Sequence, residues 1–266
     1  KPAEGGFPDG TKQLFDSMGA EKFSKWILDQ KKVLLTDTTM RDAHQSLLAT
    51  RVRTIDMLRV LETAAKKLPH FFSYECWGGA TFDVAYRFLY EDPWVRLRQI
   101  CEKSPNTLHQ MLIRGANAVG YTSYPDNVVK NFVDLSAKNG IDVFRIFDSL
   151  NSLDNMYETI QAVRETGKIA EVALCYTGDI LDPSRPKYNL DYYVKMAKEI
   201  EKAGANIIAI KDMAGLLKPE AAYTLVSALK DAVDIPVHLH THDGAGNAVT
   251  TLCRAADAGV DIVEIG

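Results

Sequence analysis

Cysteine is scarce in this chain: Cys76, Cys101, Cys175 and Cys253 are widely scattered, with no CxxC pair among them. That spacing excludes a dense disulfide framework and fits reduced thiols in a cytosol-like compartment. Long apolar runs are also missing, none approaching the ~18 residues of a membrane span. The opening Lys1-Pro2-Ala3-Glu4-Gly5-Gly6 has none of the marks of a signal peptide. It lacks a start methionine and is rich in proline and glycine, so it reads as an interdomain linker, and the chain is expected to be a piece of something longer. No block of lysine or arginine occurs, and the net charge of -4 gives no electrostatic reason to expect nucleic acid or an anionic membrane surface. A small molecule or another protein domain is the expected partner.

With 266 residues, 46% of them hydrophobic, the chain can bury one sizeable core. Thr11 to Gln30 forms a short amphipathic stretch. Apolar strands are then expected at Val33 to Thr39, Phe71 to Trp77, Thr107 to Arg114, Val143 to Asp148, Glu171 to Tyr176, Asn206 to Lys211, Val237 to His242 and Asp261 to Ile265. The segments between them read as helices. Tyr193, Met196, Ala197, Ile200 and Ala203, for example, follow the three-and-four spacing of a buried helix face. Gly140, Gly204 and Gly259 each stand between a helical segment and a strand, where glycine supplies a left-handed cap. Such alternation predicts a parallel sheet with right-handed crossovers. Eight strands in ~240 residues predict an α/β fold, a (β/α)8 barrel truncated after its eighth strand. A doubly wound open sheet is the alternative, but the glycine-rich phosphate loop usual after its first strand is absent. Residues 1–30 are read as interdomain linker and N-terminal helical segment, and 31–266 as the barrel.

A barrel places its chemistry where strands end. His238-Leu239-His240-Thr241-His242-Asp243 puts His240 and His242 two apart on a strand, hence on one face. His238 shares that parity one step deeper and reads as a hydrogen-bonded core histidine. With Asp42, at the end of the first strand, the pair offers two imidazole nitrogens and one carboxylate oxygen, a set suited to zinc or manganese. Two strand histidines hydrogen-bonding in a polar barrel mouth fit the spacing equally well. Lys211 ends the sixth strand among Ile207, Ile208 and Ile210. Burial would ease loss of its proton, and the neutral amine could capture carbon dioxide as a metal-binding carbamate. A salt bridge to Asp212 or a neighbouring acid is the plainer reading. Arg114, closing the third strand, suits either a small carboxylate held by its fork or a structural ion pair. Gln45 could add a neutral hydrogen bond beside the metal, and Asp83 and Tyr121 could orient a polar ring near the mouth.

Several motifs together resemble the carboxyltransferase domain of the pyruvate carboxylase family. They are Thr36-Asp37-Thr38-Thr39-Met40-Arg41-Asp42-Ala43-His44-Gln45-Ser46, Trp77-Gly78-Gly79-Ala80-Thr81-Phe82-Asp83, Phe144-Arg145-Ile146-Phe147-Asp148-Ser149-Leu150, Cys175-Tyr176-Thr177-Gly178-Asp179 and Lys211-Asp212-Met213-Ala214-Gly215-Leu216-Leu217. The resemblance spans almost the whole chain. It implies a (β/α)8 barrel and a divalent metal, zinc or manganese, on Asp42, carbamylated Lys211, His240 and His242. It further implies pyruvate on Arg114 and Gln45, with Arg41 in the same pocket and Asp83 and Tyr121 beside biotin supplied by another domain or chain. The implied reaction carries the carboxyl group of carboxybiotin to pyruvate, giving oxaloacetate. Implied partners are biotin-carrier and biotin carboxylase domains, in a homo-oligomeric full-length protein that is cytoplasmic, or in the mitochondrial matrix if eukaryotic.

Two departures stand against the resemblance. Relatives carry Thr-Ser after His-Thr-His-Asp, where this chain has Gly244-Ala245. The family's proton-shuttling threonine lies in a region beyond the barrel that this chain does not reach. Alternatives are the pyruvate-binding subunit of transcarboxylase, the α subunit of oxaloacetate decarboxylase and, in another class, a noncatalytic metal-binding or assembly fragment.

Overall fold

A computed structural model describes residues 5–265. Lys1–Glu4 of the expected linker and the terminal Gly266 lie outside the described residues. The elements run α1 (Thr11–Leu28), β1 (Leu34–Asp37), α2 (Asp42–Leu47), α3 (Thr54–Lys67), β2 (Ser73–Gly78), α4 (Ala80–Arg87), α5 (Pro93–Lys103), β3 (Leu108–Ile113), α6 (Asp126–Lys138), β4 (Val143–Ile146), α7 (Leu153–Glu165), β5 (Ile169–Cys175), α8 (Leu190–Ala203), β6 (Ile207–Asp212), α9 (Pro219–Ala232), β7 (Val237–Thr241), α10 (Ala248–Asp257) and β8 (Ile262–Ile265). The strands pair in sequence order and β8 returns in parallel to β1, closing the expected barrel. No described helix is long and apolar enough to cross a membrane.

Local chemistry places the helices. Asp92 accepts hydrogen bonds from the backbone amides of Trp94 and Val95, so α5 starts at Pro93, whose missing N–H costs nothing in a first turn. Asn189 caps α8 in the same way, and Gly204 ends it in the left-handed conformation at φ 100°. Most ladders are shorter than the expected runs, but β5 starts two residues early at Ile169 and β6 reaches Asp212. β4 stops at Ile146, because Asp148 turns its carboxylate onto the amides of Leu150 and Ser152 and begins a loop.

The barrel wall separates three layers. Outside it, residues such as Leu61, Leu97, Ile160 and Leu225 bury the inner helix faces against the outward strand residues. At the base, α1, broken into two helical pieces at Gly19 (φ 72°, ψ 172°), lays Phe15, Phe23 and Ile27 over the first residues of β3, β4, β5, β6 and β8 and so closes the N-terminal end. The interior is polar higher up. Thr36, Ser73 and Gln110 are hydrogen-bonded across β1, β2 and β3, and Glu75, Arg145, Glu171 and His238 are fully buried above them. A bulge in β2 between Glu75 and Trp77 gives Cys76 no partner in β3. It allows both Cys76 and Trp77 to join the outer core while Glu75 still faces inward.

Candidate functional site

Three elements converge at the C-terminal mouth. α2 opens on Asp42 after the four residues Thr38 to Arg41 that leave β1, β7 delivers His240, and His242 follows one residue past its end. Their ligand atoms all lie within 4.8 Å of one another. His242 Nε2 approaches Asp42 Oδ2 at 2.8 Å, and His240 Nε2 lies 3.5 Å from the same oxygen. The two rings meet edge to face with centroids 4.9 Å apart. His240 is buried and its Nδ1 is hydrogen-bonded to Glu264, yet its Nε2 has no hydrogen-bond partner among the described residues. A buried, unpartnered imidazole nitrogen costs free energy unless something accepts its lone pair. That nitrogen, with His242 Nε2 and an Asp42 oxygen beside it, makes a donor set that suits a zinc-like or manganese-like ion and so fits the expected metal.

Electrostatics prepare these groups as ligands. Burial opposes ionisation of Asp42, but the His242 hydrogen bond and the nearby Arg41, His240 and Lys211 outweigh it and hold the carboxyl far below its usual range. Burial pushes the His240 imidazole down to about 4, against the pull of Glu264, leaving it neutral near pH 7. Burial also lowers the Lys211 ammonium, helped by Arg41 and opposed by Asp42. Lys211 makes no carboxylate ion pair among the described residues; its Nζ sits over the Phe147 ring, 5.4 Å from the centroid. Asp212 instead faces the other way, accepting from the amides of Leu216 and Leu217 and from Thr241 Oγ1. Consecutive strand residues point to opposite faces, so the Lys211–Asp212 salt bridge is not formed.

Arg41 is fully buried behind Asp42. Its fork reaches Asp42 Oδ1 at 3.0 Å, Gln45 Oε1 at 3.0 Å and Glu75 Oε1 at 2.5 Å. Gln45 and Asp42 are thereby held on the same guanidinium nitrogen of Arg41. Gly79 takes φ 54°, a backbone conformation that L side chains rarely adopt, while a Cβ there would meet Gln45 Oε1 and Arg41 Nη1 only at ordinary contact, 3.6 and 3.7 Å. Arg114 and Tyr121 form a second group. The Arg114 guanidinium stacks 5.3 Å from the Tyr121 ring centre and donates through Nη1 to the carbonyls of Val119 and Gly120. Asp83 lies on α4 and accepts from Arg87 one turn on. A cleft of about 640 Å³ opens beside Asp42, His240 and His242 and is flanked by Leu47, Val249 and Ile265.

Glu264 and Glu75 carry no role in the sequence reading, yet they hold His240 and Arg41 respectively. The signal was available. Both are acidic residues inside apolar strand runs, with the parity that points into the barrel.

The comparisons with known proteins agree in kind. A family model described as HMGL-like matches residues 147–266. The chain is 63% identical over 256 residues to pyruvate carboxylase of Bacillus subtilis, covering 96% of this chain and 22% of that protein. It is 52% identical over 259 residues to the mitochondrial pyruvate carboxylase of Homo sapiens, covering 97% of this chain and again 22% of the relative. It superimposes on the carboxyl transferase domain of Rhizobium etli pyruvate carboxylase solved with pyruvate, with a TM-score of 0.98 and 59% identity, over 99% of this chain and 45% of that one. The chain therefore spans about a fifth of the curated relatives' length and under half of the solved domain.

Proposed function

This chain belongs to the pyruvate carboxylase family, within its carboxyltransferase domain, and from that premise we propose that it carries the carboxyl group of carboxybiotin to pyruvate, forming oxaloacetate. The observation that carries the reading is the buried, unpartnered Nε2 of His240 meeting Asp42 and His242 at the barrel mouth. Asp42, His240 and His242 would hold a divalent metal, zinc or manganese, with Lys211 as fourth ligand once carbamylated. The chemistry such an ion supplies is Lewis-acid polarisation of a carbonyl oxygen.

The remaining work falls to the chain's own side chains. Arg114 has guanidinium nitrogens beyond the one given to Val119 and Gly120, and with Gln45 it takes the pyruvate carboxylate. Arg41, fixed by Glu75, adds positive charge where the enolate oxygen develops. Asp83 and Tyr121 orient the ureido ring of biotin, which another domain or chain supplies. The N–C bond of carboxybiotin breaks to release carbon dioxide. The pyruvate methyl group loses a proton that ends on the ureido nitrogen, and the enolate carbon then bonds to carbon dioxide. Exclusion of water keeps the carbon dioxide from escaping. Biotin carboxylase and biotin-carrier domains complete the cycle in a homo-oligomeric full-length protein. The pyruvate carboxylases at 52–63% identity favour this reading over the transcarboxylase and decarboxylase alternatives.

Elemental mass spectrometry of the full-length protein tests the centre. Near-stoichiometric zinc or manganese that disappears in a His240→Ala, His242→Ala double variant is the expected result. A folded wild-type protein with negligible metal would sink the reading and bring the noncatalytic one forward. Biotin-stimulated oxaloacetate decarboxylation should be lost in Lys211→Ala; activity unchanged by that substitution would refute the carbamate role.

A further inference from the structure

Glu264 is a charged residue in the apolar strand β8, and both of its carboxylate oxygens are engaged. Oε2 accepts from His240 Nδ1, and Oε1 accepts from Arg145 Nη1. Arg145 is fully buried and also donates through Nε to Glu171 Oε1. The other oxygen of Glu171 takes His238 Nδ1 at 2.7 Å, nearer than the 3.1 Å from that nitrogen to Arg145 Nη2. One ring nitrogen cannot donate to both, and a guanidinium accepts nothing, so the proton on His238 Nδ1 goes to Glu171. Glu171, Arg145 and Glu264 thus form a continuous chain of hydrogen-bonded charges down the barrel axis, ending on His240.

The consequence lies in the tautomer. A carboxylate can only accept, so His240 Nδ1 must carry the proton. A neutral imidazole protonated on Nδ1 has its lone pair on Nε2, the atom that is buried, unpartnered and 3.5 Å from Asp42 Oδ2. We propose that Glu264, held by Arg145, is the positioning residue of the metal centre, fixing the ring and tautomer of His240 so that Nε2 is presented as a ligand. This inference rests on the metal-centre reading above. A carboxylate behind a ligating histidine raises its basicity as well as fixing its orientation, and loss of such a partner typically weakens metal binding roughly 10–100-fold.

The test compares metal affinity with fold integrity in the full-length protein. Zinc affinity of wild type and Glu264→Gln is measured by competition with a chromophoric chelator, and thermal unfolding of both is recorded without metal. The expected result is zinc binding weaker by roughly 10–100-fold in a variant that still unfolds cooperatively. Should Glu264→Gln fail to fold, Glu264→Asp carries the test, since it keeps a negative charge beside Arg145 while drawing the carboxylate oxygens back from His240. Affinity equal to wild type in a folded variant overturns the role of Glu264 and leaves the metal centre standing. A wild type that binds no zinc overturns the metal centre and this proposal with it.

Discussion

Gly215 and Gly244 lie close together beside His242, and their backbones give opposite answers to an added Cβ. Gly215 is in the left-handed region at φ 66°, and a Cβ there would meet the His242 carbonyl oxygen at 2.6 Å. Gly215→Ala should therefore cost about 1–2 kcal/mol for the backbone alone, with the clash added, and displace His242, a proposed metal ligand. Both a lower urea midpoint and weaker metal retention are expected. A Cβ at Gly244 would meet only the Ala214 carbonyl at 3.5 Å, an ordinary contact. Gly244→Thr, the residue that the family resemblance implies here, should leave stability within about 0.5 kcal/mol of the parent, as surface substitutions usually do; a large loss would mean that this loop cannot take the hydroxyl. At this scale the sequence was informative where parity governs. The spacing of His240 and His242, and the deeper place of His238, follow from the two-residue period of a strand. What parity could not show was which partner each buried charge takes, because Glu75, Arg145, Glu171 and Glu264 come from four different strands and meet only when the barrel closes.

Asp142, at the foot of β4, ties several elements together. It accepts from Lys12 of α1 at 3.1 Å and from Lys168, which precedes β5, at 2.7 Å, and it faces His109 of β3 at 3.8 Å. Burial opposes charge on His109, but Cys101 and Asp142 prevail and raise the imidazole to about 9. Its pKa is thus higher folded than the ordinary ~6.5 of an unfolded histidine. The folded state then holds more protons than the unfolded state between these values, so stability falls as pH rises through that window. The His109 contribution is full below ~6.5 and gone above about 9. Urea unfolding at pH 6, 7.5 and 9 should show this alkaline decline, and His109→Gln should flatten it; an unchanged slope in the variant would remove His109 from the account. Element identity itself was legible, since each strand occupies an expected apolar run and Gly140, Gly204 and Gly259 all take positive φ at the joints. Ends were less so. Strand β4 ends at Ile146, although the Phe147 amide still donates to the Ile113 carbonyl at 3.0 Å, and composition does not mark which residue is the last of a ladder.

Across the whole molecule the two ends of the barrel divide the labour. Asp42, His240 and His242 stand at the C-terminal mouth, while α1 seals the base at the other end, as expected if catalysis and stability occupy opposite faces of such a barrel. The amphipathic pattern of Thr11 to Gln30 announced helical structure but neither its break at Gly19 nor what its apolar residues would meet, because the buried strand residues they cover come from β3, β4, β5, β6 and β8. Phe23 is the centre of that contact. It is fully buried, stacks on Phe72 at 6.1 Å and on Trp26 at 5.2 Å, and meets Phe15 edge to face at 5.6 Å. Phe23→Ala would open a cavity between helix and barrel and should cost about 3–5 kcal/mol. In the full-length protein this should lower the unfolding midpoint of the barrel, whereas the folded fraction should keep the metal-to-protein ratio of wild type. If α1 were only a tether leading into the barrel, the midpoint would not move. If metal were lost from protein that remains folded, the base and the mouth would be coupled through the buried charges between them, and the division of labour would fail.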